Sequence, residues 1–294
     1  MIESEAYMYR CIELAQKGAG YVAPNPLVGA VLVHEGVVIA EGYHRQYGQA
    51  HAEVNCIRNV PGSLKHLIPF STLYVSLEPC SHHGKTPPCA DLIINHKIPN
   101  VVIGCKDVYH EVSGRGIQKL QNAGVNVTLG VLENKCIALN KRFFTFHQKQ
   151  RPYIILKWAQ TANGKIAGKP GERLFISKAC TNRLVHRWRS EEAAIMVGTN
   201  TAMLDNPSLT VRLWPGNNPT RLVTDRTLRL AKQLAVFDND APTVIFHQQQ
   251  NVADPGTGTR FHEISGPWPA LPQILEACYQ MNIQSILVEG GATL

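Results

Sequence analysis

The sequence predicts a two-domain α/β protein, and three observations predict it. The chain has 294 residues, about two domains' worth at roughly 150 residues each. Short β-rich runs alternate with helical patterns along most of its length, as when helices layer onto a sheet. The polar stretch Gln148-Lys149-Gln150-Arg151-Pro152 interrupts this alternation and reads as a linker, after which a second α/β series begins. The expected domains are residues 1–148 and 151–294.

In the first domain, Ala6, Tyr9, Ile12 and Leu14 recur near helical spacing, with Gly18 and Gly20 as stops, so the pattern predicts a helix over 3–18. Residues 27–33 and 37–40 flank His34-Glu35-Gly36 and form a hairpin signal. A helix is expected over 51–60, ending before Pro61-Gly62, and a strand over 72–77. A loop rich in Pro, Gly, His and Cys follows. After it come a helix at 89–96, a strand at 101–105, a helix at 117–123, a strand at 125–129 and a helix at 132–146. In the second domain, strands are expected at 153–159, 193–197, 221–224, 243–246 and 285–288, and helices at 181–189 and 273–281. Residues 219–220 and 255–259 read as exposed loops, and Asp205-Asn206-Pro207 as a helix stop and turn. The last residues, Val288 to Leu294, read as a strand, a glycine turn and the first residues of a helix, so the native chain is expected to continue.

Composition narrows the function. Hydrophobic residues make up 44 % and charged residues 17 %, enough apolar material for sizeable cores, which excludes a disordered chain. No apolar run approaches the roughly 18 residues of a membrane helix. The acidic start lacks the order of a signal peptide, so a cytoplasmic protein without membrane partners is expected. The net charge of +7 divides as 14 − 11 = +3 over residues 1–150 and 15 − 11 = +4 over 151–294. So even a spread gives no basic tail for nucleic acid and suits a phosphorylated small molecule equally. The eight cysteines are irregularly spaced, which argues for reduced thiols rather than a disulfide framework.

The strongest chemical signal is His51-Ala52-Glu53 followed by Pro79-Cys80 and, after eight intervening residues, Cys89. One imidazole and two thiolates make three ligands and leave a fourth position for water, the pattern of a catalytic zinc. Bound zinc lowers the pKa of its water to about 7. Glu53, two residues after the ligand His51, is placed to carry a proton from that water to a leaving amine. This is the H-x-E…P-C-x-x-C pattern of zinc deaminases with a longer second spacing. Two alternatives stay open: a structural zinc with His82 or His83 as fourth ligand, in a binding module, and a nucleic-acid base deaminase with a fused accessory domain. Asn25 reads either as a substrate contact or as a turn former. His44 and Lys85 suit a phosphate or polar substrate, or plain solvation.

Residues 22–130 resemble the deaminase half of the bifunctional riboflavin-biosynthesis deaminase/reductase family. The resemblance rests on Pro24-Asn25-Pro26-Leu27-Val28-Gly29, Gly42-Tyr43-His44, His51-Ala52-Glu53-Val54-Asn55 and the string from Leu77-Glu78-Pro79-Cys80 through Lys85 to Pro88-Cys89. It implies a cytidine-deaminase-like three-layer fold. The implied reaction is hydrolysis of the 2-amino group of a diaminopyrimidine ribotide, with zinc at His51, Cys80 and Cys89 and proton transfer by Glu53. It also implies substrate contacts at Asn25, His44, Lys85 and Asp107, and dimers or tetramers of the chain. Where the family often reads Asp-Pro-Asn-Pro, this chain has Asp107-Val108-Tyr109-His110.

The second domain has no G-x-G-x-x-G after a strand, which removes support for a Rossmann site. The turn at Glu289-Gly290-Gly291 reads as a phosphate cradle or as a plain glycine turn. Arg183, Arg187 and Arg189 lie near helical spacing, as on a solvated face. The segments 152–159, 164–167, 197–201, 205–212 and 288–291 are similar to the reductase half of the same family. That half has a dihydrofolate-reductase-like α/β fold and uses NADPH to reduce ribosyl to ribityl. By matched position it implies NADPH contacts at Ala159, Phe175, Thr201, Asp205, Gly290 and Gly291. It implies substrate contacts at Arg173, Arg189, Leu209, Arg212 and Glu289. Two departures stand out: Thr161-Ala162-Asn163-Gly164 replaces the family's Ser-Leu-Asp-Gly, and Arg173 stands where a small hydroxyl residue is common.

Overall fold

A computed structural model describes residues 3–82, 87–109, 113–166, 176–250, 252, 258–268 and 270–290. The chain divides into two compact units, Met1–Lys149 and Gln150–Leu294.

The first unit begins with helix α1 (Glu3–Gln16) and the hairpin β1 (Gly29–His34) and β2 (Val37–Tyr43). Glu35 and Gly36 both have positive φ, at 46° and 78°, the backbone of the tight turn whose twist matches paired strands. Then come α2 (Ala52–Arg58), a 3-10 stretch (Gly62–Phe70), β3 (Thr72–Leu77), α3 (Cys89–Asn95), β4 (Asn100–Cys105), α4 (Arg115–Asn122), β5 (Asn126–Leu129), α5 (Glu133–Leu139) and α6 (Lys141–Lys149). The sheet order is β2-β1-β3-β4-β5. β1 runs antiparallel to β2 and β3, and β3, β4 and β5 are mutually parallel.

β1, β3 and β4 are near-continuous apolar runs because both of their faces are covered. Alternate side chains separate into two cores. Ala30, Leu32, Leu73, Val75, Val101 and Ile103 pack with Cys56 and Ile57 of α2, Ile93 of α3 and Leu120 of α4. Val31, Val33, Tyr74 and Val102 pack with Met8 and Cys11 of α1, Cys136 of α5 and Phe143 of α6. The result is three layers, helices on both sides of one sheet.

One expected helix is corrected. The span 132–146 is two helices, broken at Asn140. The Asn140 side chain accepts a hydrogen bond from Leu27 N at 2.7 Å and donates one to Leu27 O at 2.9 Å. It spends its polar atoms on a distant backbone segment, the one that carries Asn25. The expected linker also starts later, since α6 continues to Lys149.

The second unit contains β6 (Tyr153–Leu156), α7 (Ala179–Glu191), β7 (Ala194–Gly198), α8 (Thr199–Asp205), β8 (Thr220–Thr224), β9 (Thr243–His247), β10 (Thr259–Glu263), α9 (Leu271–Gln280) and β11 (Ser285–Val288). Its sheet order is β10-β9-β8-β7-β11-β6, with every neighbouring pair parallel. Ala194, Met196, Leu222 and Phe246 meet Ile274 and Cys278 of α9 on one face. Ile195, Val197, Val223 and Ile245 meet Ala202 of α8 and Leu209 on the other. Three expectations change here. Of residues 219–220, expected as an exposed loop, Pro219 is buried and Thr220 opens β8. The strand at 153–159 stops at Leu156, and Thr259, expected in a loop, opens β10 and is buried against β9. Residues 255–257 of that expected loop lie outside the described residues.

Position 42 sets how closely α2 lies on the sheet. A Cβ there would overlap the backbone of Ala52 and Cys56, so glycine is needed for the approach rather than for its own conformation. Gly42→Ala is expected to push α2 outward and to cost about 2 kcal/mol, the order seen for overpacked cores. Because α2 starts beside His51, metal content should fall with it. Urea denaturation and zinc quantification on the purified variant check both outcomes.

Candidate metal centre and strand-end site

The starts of α2 and α3 meet where β3 ends. His51 caps the N-terminus of α2 in extended conformation, with φ −70° and ψ 169°. Cys80 lies three residues beyond Leu77, the end of β3, and Cys89 is the first residue of α3. Their ligand atoms all lie within 4.8 Å of one another. His51 Nδ1 is 3.6 Å from Cys80 Sγ and 3.4 Å from Cys89 Sγ. A tetrahedral zinc with ordinary Zn–S and Zn–N bonds sets such atoms about 3.5 Å apart. The donor set and its spacing therefore fit zinc. Among the described residues this cluster has three ligands. His82, one of the two residues considered as a fourth, is not among them, and its Nδ1 is buried without a hydrogen-bond partner. His83 and Lys85 lie outside the described residues.

The charges are arranged to favour thiolate. Cys80 is drawn down to about 4, first by hydrogen bonding with Cys89 and then, against burial, by His51 and the Cys89 amide. That amide donates to Cys80 Sγ at 3.3 Å from the N-terminus of α3. Cys89 is pushed up by the sulfur it faces and by burial. Hydrogen bonding with Cys80 raises the His51 imidazole. Glu53, on the first turn of α2, is 3 % exposed, and burial pushes its carboxyl up.

Beside His51 stands His44, with ring centroids 5.5 Å apart. His44 Nδ1 lies 3.1 Å from Ala50 O, and Nε2 lies 3.1 Å from Asn25 Nδ2. The carbonyl can only accept and the amide nitrogen only donate, so His44 is a neutral imidazole with its proton on Nδ1. Burial lowers its pKa, in agreement. Asn55, which sequence reading passed over as a support, donates to both Tyr43 O and Ala50 O and so fixes the turn holding His44. Asp107 follows β4 and is buried; burial, with a contribution from the charge of Glu78, pushes it up to about 6.

In the second unit, Arg189, Glu289 and Arg212 come together around His186 and Thr210, with Glu289 at the end of a parallel strand, where ligand sites lie in open α/β sheets. Glu289 directly follows β11. Arg189 on α7 grips it with two hydrogen bonds of 2.9 Å, and Lys157 approaches at 3.4 Å. Arg189 also donates to Thr210 O, so it is not the solvated helical arginine its spacing suggested. Thr201 and Asp205 lie on α8, and Ala159 and Gly290 are partly exposed beyond β6 and β11. Arg212 is exposed, and its N–H donates to His186 Nδ1 at 2.9 Å. The Leu209 side chain is buried in the core, so any ligand contact at that position comes from its backbone, held at φ 56°. Asp225, just past β8, is fully buried, and its Oδ1 has no hydrogen-bond partner. Such an orphaned acceptor fits a site completed by a polar cofactor. Arg173, Phe175 and Gly291 lie outside the described residues.

Fold and ligand geometry together define a zinc deaminase domain joined to a second α/β domain. The family model "cytidine and deoxycytidylate deaminase zinc-binding region" matches residues 1–105, and the model "RibD C-terminal domain" matches 152–294. Riboflavin biosynthesis protein RibD of Actinobacillus pleuropneumoniae is 40 % identical over 98 % of this chain and 78 % of that relative. RibD of Aquifex aeolicus is 39 % identical over 97 % and 80 %. A Thermotoga maritima crystal structure, a diaminohydroxyphosphoribosylaminopyrimidine deaminase/5-amino-6-(5-phosphoribosylamino)uracil reductase, superposes with a TM-score of 0.89. It shares 40 % identity and is covered to 81 %, against 98 % of this chain. Acinetobacter baumannii RibD gives 0.88 at 32 % identity, covering 99 % and 81 %. The chain belongs to the RibD family of riboflavin-biosynthesis enzymes. No helix among the described residues is long and apolar enough to cross a membrane.

The Arg189–Glu289 pair carries a stability prediction. Burial alone would raise Glu289, but Arg189 and Lys157 outweigh it and hold the carboxyl below the usual range. A lowered carboxylate contributes stability above its unfolded pKa and loses it as pH falls through the folded value. Glu289→Gln is expected to cost about 3 kcal/mol near neutral pH, because Arg189 is left buried and uncompensated. The gap to the native chain should narrow in acid, below the usual carboxylate range of about 4.3. Urea unfolding of both proteins as a function of pH measures it.

Proposed function

We propose that the two domains catalyse consecutive steps on one phosphoribosyl pyrimidine. The first domain hydrolyses 2,5-diamino-6-(5-phosphoribosylamino)pyrimidin-4(3H)-one to 5-amino-6-(5-phosphoribosylamino)uracil and ammonia. The second reduces the ribosyl group to ribityl. Family membership across both domains supports this substrate class and sets the nucleic-acid alternative aside. The observation that carries the chemistry is the convergence of His51, Cys80 and Cys89 beside a buried Glu53.

His51, Cys80 and Cys89 would hold the zinc. When bound there it supplies Lewis acidity that makes water a nucleophile near neutral pH. Glu53 accepts a proton from the attacking water and returns it to the departing amino group, so that the C2–N bond breaks as a C2–O bond forms. Its raised pKa, set by burial, suits a group that must both take and give a proton. Asn25 and His44 orient the pyrimidine, with the His44 tautomer fixed by Ala50, and Asp107 and Lys85 complete the contacts that the resemblance implies.

In the second domain, Ala159, Phe175, Thr201, Asp205, Gly290 and Gly291 would hold NADPH, which supplies the hydride when bound. Arg189, Arg212, Arg173, Glu289 and the Leu209 backbone would orient the ribose phosphate, the guanidinium fork suiting a phosphate by two parallel bonds. Orientation of the sugar against the nicotinamide is what this end of the sheet contributes. The resemblance further implies a homo-oligomer.

Glu53→Gln tests the deaminase role. Ammonia release from the diaminopyrimidine ribotide is expected to fall by about a hundredfold or more, while one zinc per chain is retained. Mass spectrometry of the product reads the reaction, with and without NADPH. Undiminished release with zinc bound would remove Glu53 from the mechanism.

A further inference from the structure

The carboxylate of Glu78 holds together two segments that the deaminase reaction must keep in register. Glu78 directly follows β3, two residues before Cys80, and is 4 % exposed. Backbone amides meet both of its oxygens. Oε2 accepts from Asp107 N at 3.2 Å and Gly114 N at 3.0 Å; Oε1 accepts from Gly116 N at 3.0 Å and Ile117 N at 3.3 Å. The Glu78 amide donates to Cys105 O at 3.0 Å.

Three of those four amides belong to the start of α4, whose first turn leaves N–H groups without helical partners. The capping position itself is Gly114, at φ 79°, which has no side chain to supply the missing acceptor. A carboxylate from the next strand supplies it instead, and its charge complements the helix end. The helix start is pressed against the same segment at a second point, because a Cβ on Gly116 would overlap the Pro79 carbonyl oxygen.

The fourth amide is not a helix amide. It belongs to Asp107, just past the end of β4. One side chain therefore joins the arm that carries Cys80, the residue read as a substrate contact, and the helix that follows. We propose that Glu78 is a positioning residue of the deaminase, fixing Asp107 relative to the Cys80 arm; this rests on reading Asp107 as a contact to the diaminopyrimidine. A helix cap alone would stabilise α4 without regard to substrate. A positioning residue affects substrate binding through Asp107 and loses that effect when Asp107 is changed.

The test is a double-mutant cycle on the whole zinc-loaded chain, reading ammonia release, zinc content and thermal melting for the native protein, Glu78→Gln, Asp107→Asn and the double variant. Glu78→Gln places an amide donor against amide donors. It is expected to keep one zinc per chain and to raise KM for the diaminopyrimidine ribotide by about tenfold, with kcat little changed. In the Asp107→Asn background it should raise KM no further. A native KM for Glu78→Gln, or the same KM penalty in both backgrounds, would overturn the proposal and leave only a helix cap. An Asp107→Asn variant with native KM would overturn the reading of Asp107 and the proposal with it. A native chain that releases no ammonia would overturn the proposed deaminase activity itself. Should Glu78→Gln fail to fold, Glu78→Asp keeps the charge but is too short to reach both pairs of amides. It should show a raised KM, and a native KM would overturn the proposal equally.

Discussion

The metal centre depends on how closely one short helix can lie against one edge strand. α2 supplies His51 at its start and Glu53 on its first turn, and it reaches the sheet only because position 42 has no side chain. Once the helix lies there, Ala52, Cys56 and Ile57 are buried against Ala30, Leu32 and Ala40, and the position of His51 is settled by packing rather than by the metal. Asn55 ties the same helix to the turn before it through Tyr43 O and Ala50 O. An ion that must find three ligands at about 2.0–2.3 Å meets atoms already held near the right spacing. Little reorganisation is then needed on binding, as expected of a site supported by rigid elements.

The same region places two buried glutamates in different surroundings and so gives them different work. Glu78 accepts hydrogen bonds from four backbone amides, two on each of its oxygens. Glu53 is buried beside Cys89 and His51, and burial dominates its titration. Two identical side chains thus sit in different environments, one tied to four amides and one buried beside the ligand cluster, the kind of contrast that pushes carboxyl groups apart in other active sites. The thiols show a related division. Cys80 and Cys89 face the imidazole and each other, whereas Cys11 and Cys56 sit in the apolar layers, where burial pushes their thiols up and leaves them as small core side chains.

Much of the first site was legible because its residues lie in short local strings. His51 and Glu53 share a helix start, and Cys80 and Cys89 lie nine residues apart, so spacing alone singled out the three residues whose ligand atoms the structure brings together. The hairpin and the strands β3 and β11 were equally plain from β-branched runs between turn residues. What was not legible depends on contacts between distant segments. Asn140 breaks a helix by bonding to Leu27, a residue 113 positions away. Glu78 acts on backbone amides at 107–117, which any sequence would offer, so no side-chain pattern announces it. The strand β10 lacks a clean apolar alternation, and its pairing with β9 rather than its composition makes it a strand.

The second domain shows why fold and site separate in legibility there. Two arginines became buried for opposite reasons. Arg221, 0 % exposed, lies on β8, gives its guanidinium to the carbonyls of Ala235, Asp238 and Ala241 and pairs with Asp238. Its nearest partners all lie between residues 235 and 241, so it pins that connecting segment and has little left to offer a ligand. Arg189 instead pairs with Glu289, 100 residues away, at the end of a strand. That pair exists because α7 leads into β7 and β7 lies beside β11 in the sheet. A guanidinium and a carboxylate held at a sheet's carboxyl end, next to Lys157, form a charged surface whose members orient one another before any ligand arrives. Such a pair gains little net stability over an apolar contact. Its place at the strand ends holds a guanidinium and a carboxylate in a fixed mutual orientation, and pre-organised charge of this kind lowers the ordering cost of binding a polar ligand.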